Sequence, residues 1–278
     1  VSKLKNLIKL IHPKYQKLIL DYPVNLKPRY TKQNPHKALL DIVENNRSKY
    51  ITRLNSINQN SSFFHKITPA QKNEIEPFWN NGFLPGLDIC GIHQMLVEFN
   101  PRQYIEVGSG NSTKVASTVI KKSNLQTKII SIDPAPRAEI DQLADEIIRK
   151  PFEAIASIPQ IQSGDILFID NSHRILPNSD SMVFYLETLP QLPAGVIVQI
   201  HDIYLPYDYP QFMCDRFYTE QYGLAMYLLA NPNKFEILLP NYFISEDPKL
   251  SATLSDVWNH PNTKNAEQHG GSFWFRIN

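Results

Sequence analysis

Tyr104-Ile105-Glu106-Val107-Gly108-Ser109-Gly110-Asn111-Ser112-Thr113 is an apolar run, two glycines and a hydroxyl-rich start to the next segment, and its reading decides the fold. Tyr104–Val107 predicts a strand, and Ser112–Lys122 predicts the helix it feeds. Gly108 and Gly110 allow a tight turn and close approach of a ligand to the backbone. Asn111 or Ser112 is placed to cap the helix. Two glycines after a strand are only a turn when read alone. The added weight is Asp133, at the end of the next predicted strand and 23 residues beyond Gly110. A carboxylate there can accept hydrogen bonds from both ribose hydroxyls of a nucleoside cofactor.

The same rhythm continues to the C-terminus. Apolar runs at Tyr104–Val107, Ile129–Ile132, Glu146–Ile148, Ile166–Ile169, Val196–Ile200, Phe235–Leu239 and Ser272–Ile277 alternate with helix candidates at Ser112–Lys122, Ala138–Ala144, Phe152–Ile158, Ser179–Leu189 and Phe212–Ala230. This is the pattern of an α/β fold, a doubly wound, seven-stranded, mostly parallel sheet. Ahead of it, prolines break residues 1–85 into short helical pieces, read as an N-terminal helical extension or cap. Residues 86–278 are read as the cofactor-binding domain. The helix predicted over Gly86–Phe99 leads into its first strand.

Composition narrows the function classes. A net charge of +1, 42% hydrophobic and 20% charged residues describe an ordinary globular chain without a general polyanion-binding surface. The basic residues Lys3, Lys5, Lys9, Lys14 and Lys17 read as the solvated side of an amphipathic segment whose other side carries Leu4, Leu7, Ile8 and Ile11. No nucleic-acid or membrane partner is expected from them. Cys90 and Cys214 have no metal or redox spacing, which fits a reducing cytoplasm.

Two further stretches carry ionisable residues to strand ends, where ligands bind in open α/β sheets. Phe168-Ile169-Asp170-Asn171-Ser172-His173-Arg174 ends the fourth predicted strand, and His201-Asp202-Ile203-Tyr204-Leu205-Pro206-Tyr207-Asp208-Tyr209-Pro210 follows the fifth. Adjacent strands lie about 4.8 Å apart, so Asp170, His173, His201 and Asp202 can converge. Singly, each has a plain structural reading: Asp170 caps its loop, Arg174 neutralises Asp202, His201 sits satisfied in the core. Tyr204, Tyr207 and Tyr209 line an acceptor pocket or pack as a surface loop. Trp79, Phe83 and Tyr218–Tyr222 are further candidates for that pocket.

The run at 104–113 resembles motif I of class I S-adenosylmethionine (SAM)-dependent methyltransferases, and Ser131-Ile132-Asp133-Pro134 resembles their second motif. Ser112 departs from the pattern, standing where many members have a third glycine. The resemblance implies that Glu106, Gly108, Ser109, Gly110, Asn111, Ser112, Asp133 and Asp170 bind SAM, with Asp133 on the ribose. The stretches after strands four and five, with the closing Gly270-Gly271-Ser272-Phe273-Trp274-Phe275, are similar to an uncharacterised bacterial branch distantly related to sugar O-methyltransferases. That likeness covers about residues 80–278. In metal-dependent members, acids at these strand ends hold a divalent ion. The resemblance therefore implies Mg²⁺ or Mn²⁺ on Asp170, Asp202 and His201, catalysis by Asp170 with His173 or His201 as base, and a small hydroxylated acceptor. Two other readings stand beside it. A nicotinamide-dependent oxidoreductase is disfavoured by Glu106 and by the missing third glycine of G-x-G-x-x-G; a non-catalytic partner-binding protein would keep the fold without turnover.

Overall fold

The computed structural model describes residues 12, 17–136, 139–155 and 158–278. The amphipathic segment read over Lys3–Ile11 lies outside them. The seven expected strands all form: β1 Gln103–Val107, β2 Lys128–Ile132, β3 Glu146–Ile148, β4 Ile166–Ile169, β5 Ile197–Ile200, β6 Phe235–Pro240 and β7 Phe273–Ile277. They make one sheet in the order β3-β2-β1-β4-β5-β7-β6. The first five are mutually parallel, and β7 runs antiparallel to both neighbours. β4 and β5 are buried along their whole length, as strands covered by helices on both faces must be. Chain order reverses between β1 and β4, so the crevice at their carboxyl ends is the topological switch point.

The helices are α1 Lys37–Glu44, α2 Arg47–Gln59, α3 Ser61–Phe64, α4 Gly86–Phe99, α5 Asn111–Lys122, α6 Asp180–Val183, α7 Gln211–Cys214, α8 Glu220–Ala230, α9 Asn241–Glu246, α10 Pro248–Ser251 and α11 Ser255–Trp258. α4 matches its expected bounds and buries every residue from Gly86 to Leu96. α5 sets Val115, Ala116 and Val119 against the sheet and ends on Lys121 and Lys122, cations that suit a helix C-terminus.

Three expected helices differ. Among residues 139–144 of the Ala138–Ala144 candidate, only a turn forms. The Phe152–Ile158 candidate is a short 3₁₀ turn at Phe152–Ala154, with residues 156 and 157 outside those described. Phe212–Ala230 is divided into α7 and α8, because Phe217 takes a left-handed backbone at φ 56° and stops the first helix. The Ser179–Leu189 candidate forms, but passes from α6 into a π turn at Phe184–Thr188.

One hydrophobic cluster joins Leu54, Ile57, Phe64 and Trp79 from the N-terminal third to Ile105, Phe168, Val198 and Phe275 of the sheet. Both cysteines are free and buried. Among the described residues no helix is long and apolar enough to cross a membrane.

Candidate cofactor and transfer site

Gly108 is the tightest point of the switch-point crevice. Its φ is +80°, and a Cβ added there would lie 1.9 Å from the carbonyl oxygen of Asp170. The close approach is held by Asp170 N–H donating to Val107 O at 2.8 Å and Gly108 N–H to Ile132 O at 3.0 Å. Gly110 serves differently. Its backbone is extended, and nothing lies within 4 Å of where its Cβ would be.

The expected cap by Asn111 or Ser112 is replaced by a different bond. Gly110 is the cap residue, and its N–H donates to Thr113 Oγ1 at 3.0 Å. The Thr113 hydroxyl in turn donates to Glu106 Oε2. Glu106 has no solvent exposure, and its Oε1 has no partner among the described residues. Burial pushes its carboxyl up to about 8; the Ser112 and Thr113 hydroxyls oppose that shift, and the charges of Asp170 and Asp133 add to it. Glu106 thus lies beneath the loop as a carboxyl whose burial favours its neutral form.

Asp133 closes the other side. One carboxylate oxygen accepts from Ser109 N–H at 2.8 Å, and the other from Ala135 N–H at 2.8 Å. Two clefts flank this loop. The smaller, about 300 Å³, is lined by Gly108, Asp133, Pro134, Phe152 and Asn171. The larger, about 670 Å³, lies between Asn81 and Phe83 on one wall and Asn111 and Lys114 on the other. Ser109 and Asp170 line both.

Next to Asp170 the four expected ionisable groups do converge. His173 Nε2 lies 3.4 Å from Asp170 and 3.5 Å from Asp202, and His201 Nδ1 lies 3.6 Å from each of the same two carboxylates. His173 and Asp202 reach these positions through left-handed backbones, φ 62° and 56°. Non-glycine residues in that region cost about 1–3 kcal/mol each and cluster at functional sites. Arg174 does not pair with Asp202. It donates to Arg216 O and Ser172 O and lies over the Tyr218 ring, which stacks on His173.

Sequence reading missed two residues here. Asp88 Oδ2 meets His201 Nε2 at 3.1 Å, and Glu220 Oε2 meets His173 Nδ1 at 3.0 Å. Both acids are wholly buried. The available signal was an acid in an otherwise apolar helical run: Asp88 in Gly-Leu-Asp-Ile-Cys, Glu220 ahead of Tyr-Gly-Leu-Ala-Met.

Burial alone lowers a histidine's pKa, yet the carboxylates Asp170, Asp202 and Asp88 outweigh it and raise His201 to about 10. His173 is raised likewise, against its burial, by Glu220, Asp202 and Asp170. The expected cation site is not supported by this placement: among the described residues no group of three or more His, Cys, Asp or Glu is set to hold a metal ion. Each imidazole lies between carboxylates on both edges, Asp170 and Asp202 on one and Glu220 or Asp88 on the other.

Comparison with known proteins bears on the central part of the chain. Residues 105–203 match the model of a methyltransferase domain. No curated protein matches the chain in sequence. Solved structures similar to it include the plantazolicin methyltransferase BpumL in complex with a monoazolic desmethylPZN analog and SAH, 14% identical, covering 86% of this chain and 90% of that chain at a TM-score of 0.42. Another is cmcI-N160 with SAH, 16% identical, covering 76% and 84% at a TM-score of 0.40. A third is the SAH-bound Podospora anserina methyltransferase PaMTH1, 13% identical, covering 69% and 78% at a TM-score of 0.42.

The segment matched by the methyltransferase-domain model ends at Ile203, where the tyrosine loop begins. Tyr204 and Tyr209 are buried in a cluster with Met213, Cys214 and Tyr218, and Tyr207 packs against Tyr242. Tyr209 Oη accepts from Gln221 N–H at 2.9 Å. None of the three lines either cleft beside the glycine loop. Of the other pocket candidates, Phe83 lines the larger cleft, whereas Trp79 is buried.

Proposed function

We propose that this protein transfers a methyl group from SAM to a hydroxyl of a small molecule, a sugar or polyol in the first instance. The observation that carries the reading is the pair of clefts meeting at Ser109 and Asp170 on the switch-point crevice. The residues fit the cofactor: Gly108 lets the loop close against the Asp170 carbonyl and line the smaller cleft with backbone, Asp133 stands at the end of β2, and Asn171 Nδ2 beside that cleft has no partner among the described residues.

Bound SAM supplies an electrophilic methyl on a sulfonium. In this reading Asp133 exchanges its backbone donors for the ribose hydroxyls, and Ser109, Gly110 and Asn111 surround the amino-acid end. Asp170, its side chain 34% exposed and shared by both clefts, accepts the acceptor's hydroxyl proton as the oxygen attacks. His173 and His201 stand behind it, each within 3.6 Å of both Asp170 and Asp202. Residues before 86 contribute Asn81 and Phe83 as the acceptor-side wall and keep water from the transfer.

Calorimetric titration of S-adenosylhomocysteine, beside NAD, tests the reading. Binding of S-adenosylhomocysteine without added Mg²⁺ or Mn²⁺, and none of NAD, is expected. Failure of S-adenosylhomocysteine to bind under any of these conditions overturns it.

A further inference from the structure

Lys114 is a cation in an unfavourable place. It closes the first turn of α5, where the positive end of the helix dipole repels it, and it is only 4% exposed. Among the described residues its ammonium has neither an ion pair nor a hydrogen bond. Burial lowers its pKa, and the charge of Glu74, which is not in contact with it, opposes that shift. Lysine is almost never buried this far without a partner, because a charge taken out of water needs an opposite charge or hydrogen bonds in return. The chain itself supplies neither to Lys114.

Lys114 lines the larger cleft, across from Asn81 and Phe83. The other cation on that cleft, Arg149, is paired with Asp141 and donates to Asp133 O at 3.2 Å. Glu74 and Glu139 also line it, but both are exposed, where water and salt screen a charge. The buried positive charge of this cleft is thus left for a ligand to meet. It stands apart from the cofactor's amino-acid end in the reading above: Lys114 follows the glycine loop by a helical turn, and the acid that acts on it, Glu74, belongs to the wall built by residues before 86. We propose that Lys114 is an anion-recognition residue, and that the small hydroxylated molecule taken by this cleft carries a carboxylate or a phosphate. With that group on Lys114, the molecule's hydroxyl is presented to Asp170, which lines the same cleft. The molecule's part as methyl acceptor rests on the proposed function; the anion site does not.

The side chain itself can report the anion. With the full chain labelled with ¹³C at the lysine ε-carbons, each lysine gives an NMR signal that moves when an anion binds beside it, and Lys114→Arg, which keeps the charge, identifies the signal of Lys114. The probes are inorganic phosphate and acetate, titrated separately with and without saturating S-adenosylhomocysteine. At least one of them is expected to move the Lys114 signal to saturation in both states, while the signals of the exposed Lys121 and Lys122 only drift in proportion to the added salt. Lys114→Met should leave the affinity for S-adenosylhomocysteine within about threefold. A Lys114 signal that neither probe saturates overturns the proposal. So does a response that S-adenosylhomocysteine abolishes, or a larger loss of its affinity in folded Lys114→Met, since Lys114 would then hold the cofactor's own carboxylate. The titrations of the unsubstituted protein decide the matter even where that variant does not fold. If S-adenosylhomocysteine does not bind while phosphate or acetate still saturates the signal, the methyl-transfer reading falls and the anion site stands.

Discussion

At Glu106 a carboxyl is kept under the glycine loop with the Thr113 hydroxyl on one oxygen and, among the described residues, no hydrogen-bond partner within range of the other. Its carboxyl is raised from an ordinary 4.5 to about 8, so between those values the folded chain binds a proton that the unfolded chain has released. Stability from this group is therefore fully present below 4.5 and is lost as pH rises through about 8. Glutamine has the same shape and no such proton. The difference in Tm between the unsubstituted protein and Glu106→Gln should shift against the unsubstituted protein as pH rises across that window, read by calorimetry at a series of pH values. A constant difference would mean that the carboxyl ionises normally in the fold. His201 has its window at higher pH: its stabilisation is present below 6.5 and lost as pH rises through about 10.

Among the elements, the loop from Tyr204 to Pro210 is the one whose role changes most between sequence and structure. It is pinned from outside by the N-terminal strap, through His36 N–H to Pro206 O at 3.0 Å, Asp208 N–H to Tyr30 O at 2.9 Å and Arg29 N–H to Asp208 Oδ2 at 2.9 Å. From inside it is pinned by Gln221, which accepts from Tyr204 N–H and donates to Tyr209 Oη. This loop is a packed joint. Tyr209→Phe leaves the Gln221 N–H buried without a partner, a loss of about 1–3 kcal/mol. Urea unfolding should show that loss while S-adenosylhomocysteine affinity stays within error. A weakened affinity at unchanged stability would instead return Tyr209 to the binding surface.

Over the whole molecule, the core does not stop where the first strand begins. Leu54 of α2 has no exposure and belongs to the same apolar cluster as the central strands. Leu54→Ala should therefore cost about 2–5 kcal/mol, felt in the unfolding of the entire chain as one cooperative transition. The check is a thermal melt followed by both far-UV and near-UV circular dichroism. Two separated transitions, with only the first moved, would show that the helical part folds apart from the sheet.

What the sequence by itself determined is set by local rules. Alternation of apolar runs and amphipathic segments specified seven strands and the doubly wound sheet, since period and turn residues are properties of neighbours along the chain. The glycine at 108 and the acid at 133 were legible because strand-end loops have fixed offsets within a βα unit. The candidate cluster of Asp170, His173, His201 and Asp202 was legible for the same reason. Tertiary structure alone decided the rest. Asp88 lies 113 positions from His201 and Glu220 lies 47 from His173, so no local spacing could pair them. Whether Tyr209 faces a ligand or a neighbour depends on Gln221 and on the strap laid over its loop. Whether two imidazoles are bases, ligands or fixed charges depends on how many carboxylates surround them in space, because protonation is settled by the summed field of groups brought together only by the fold.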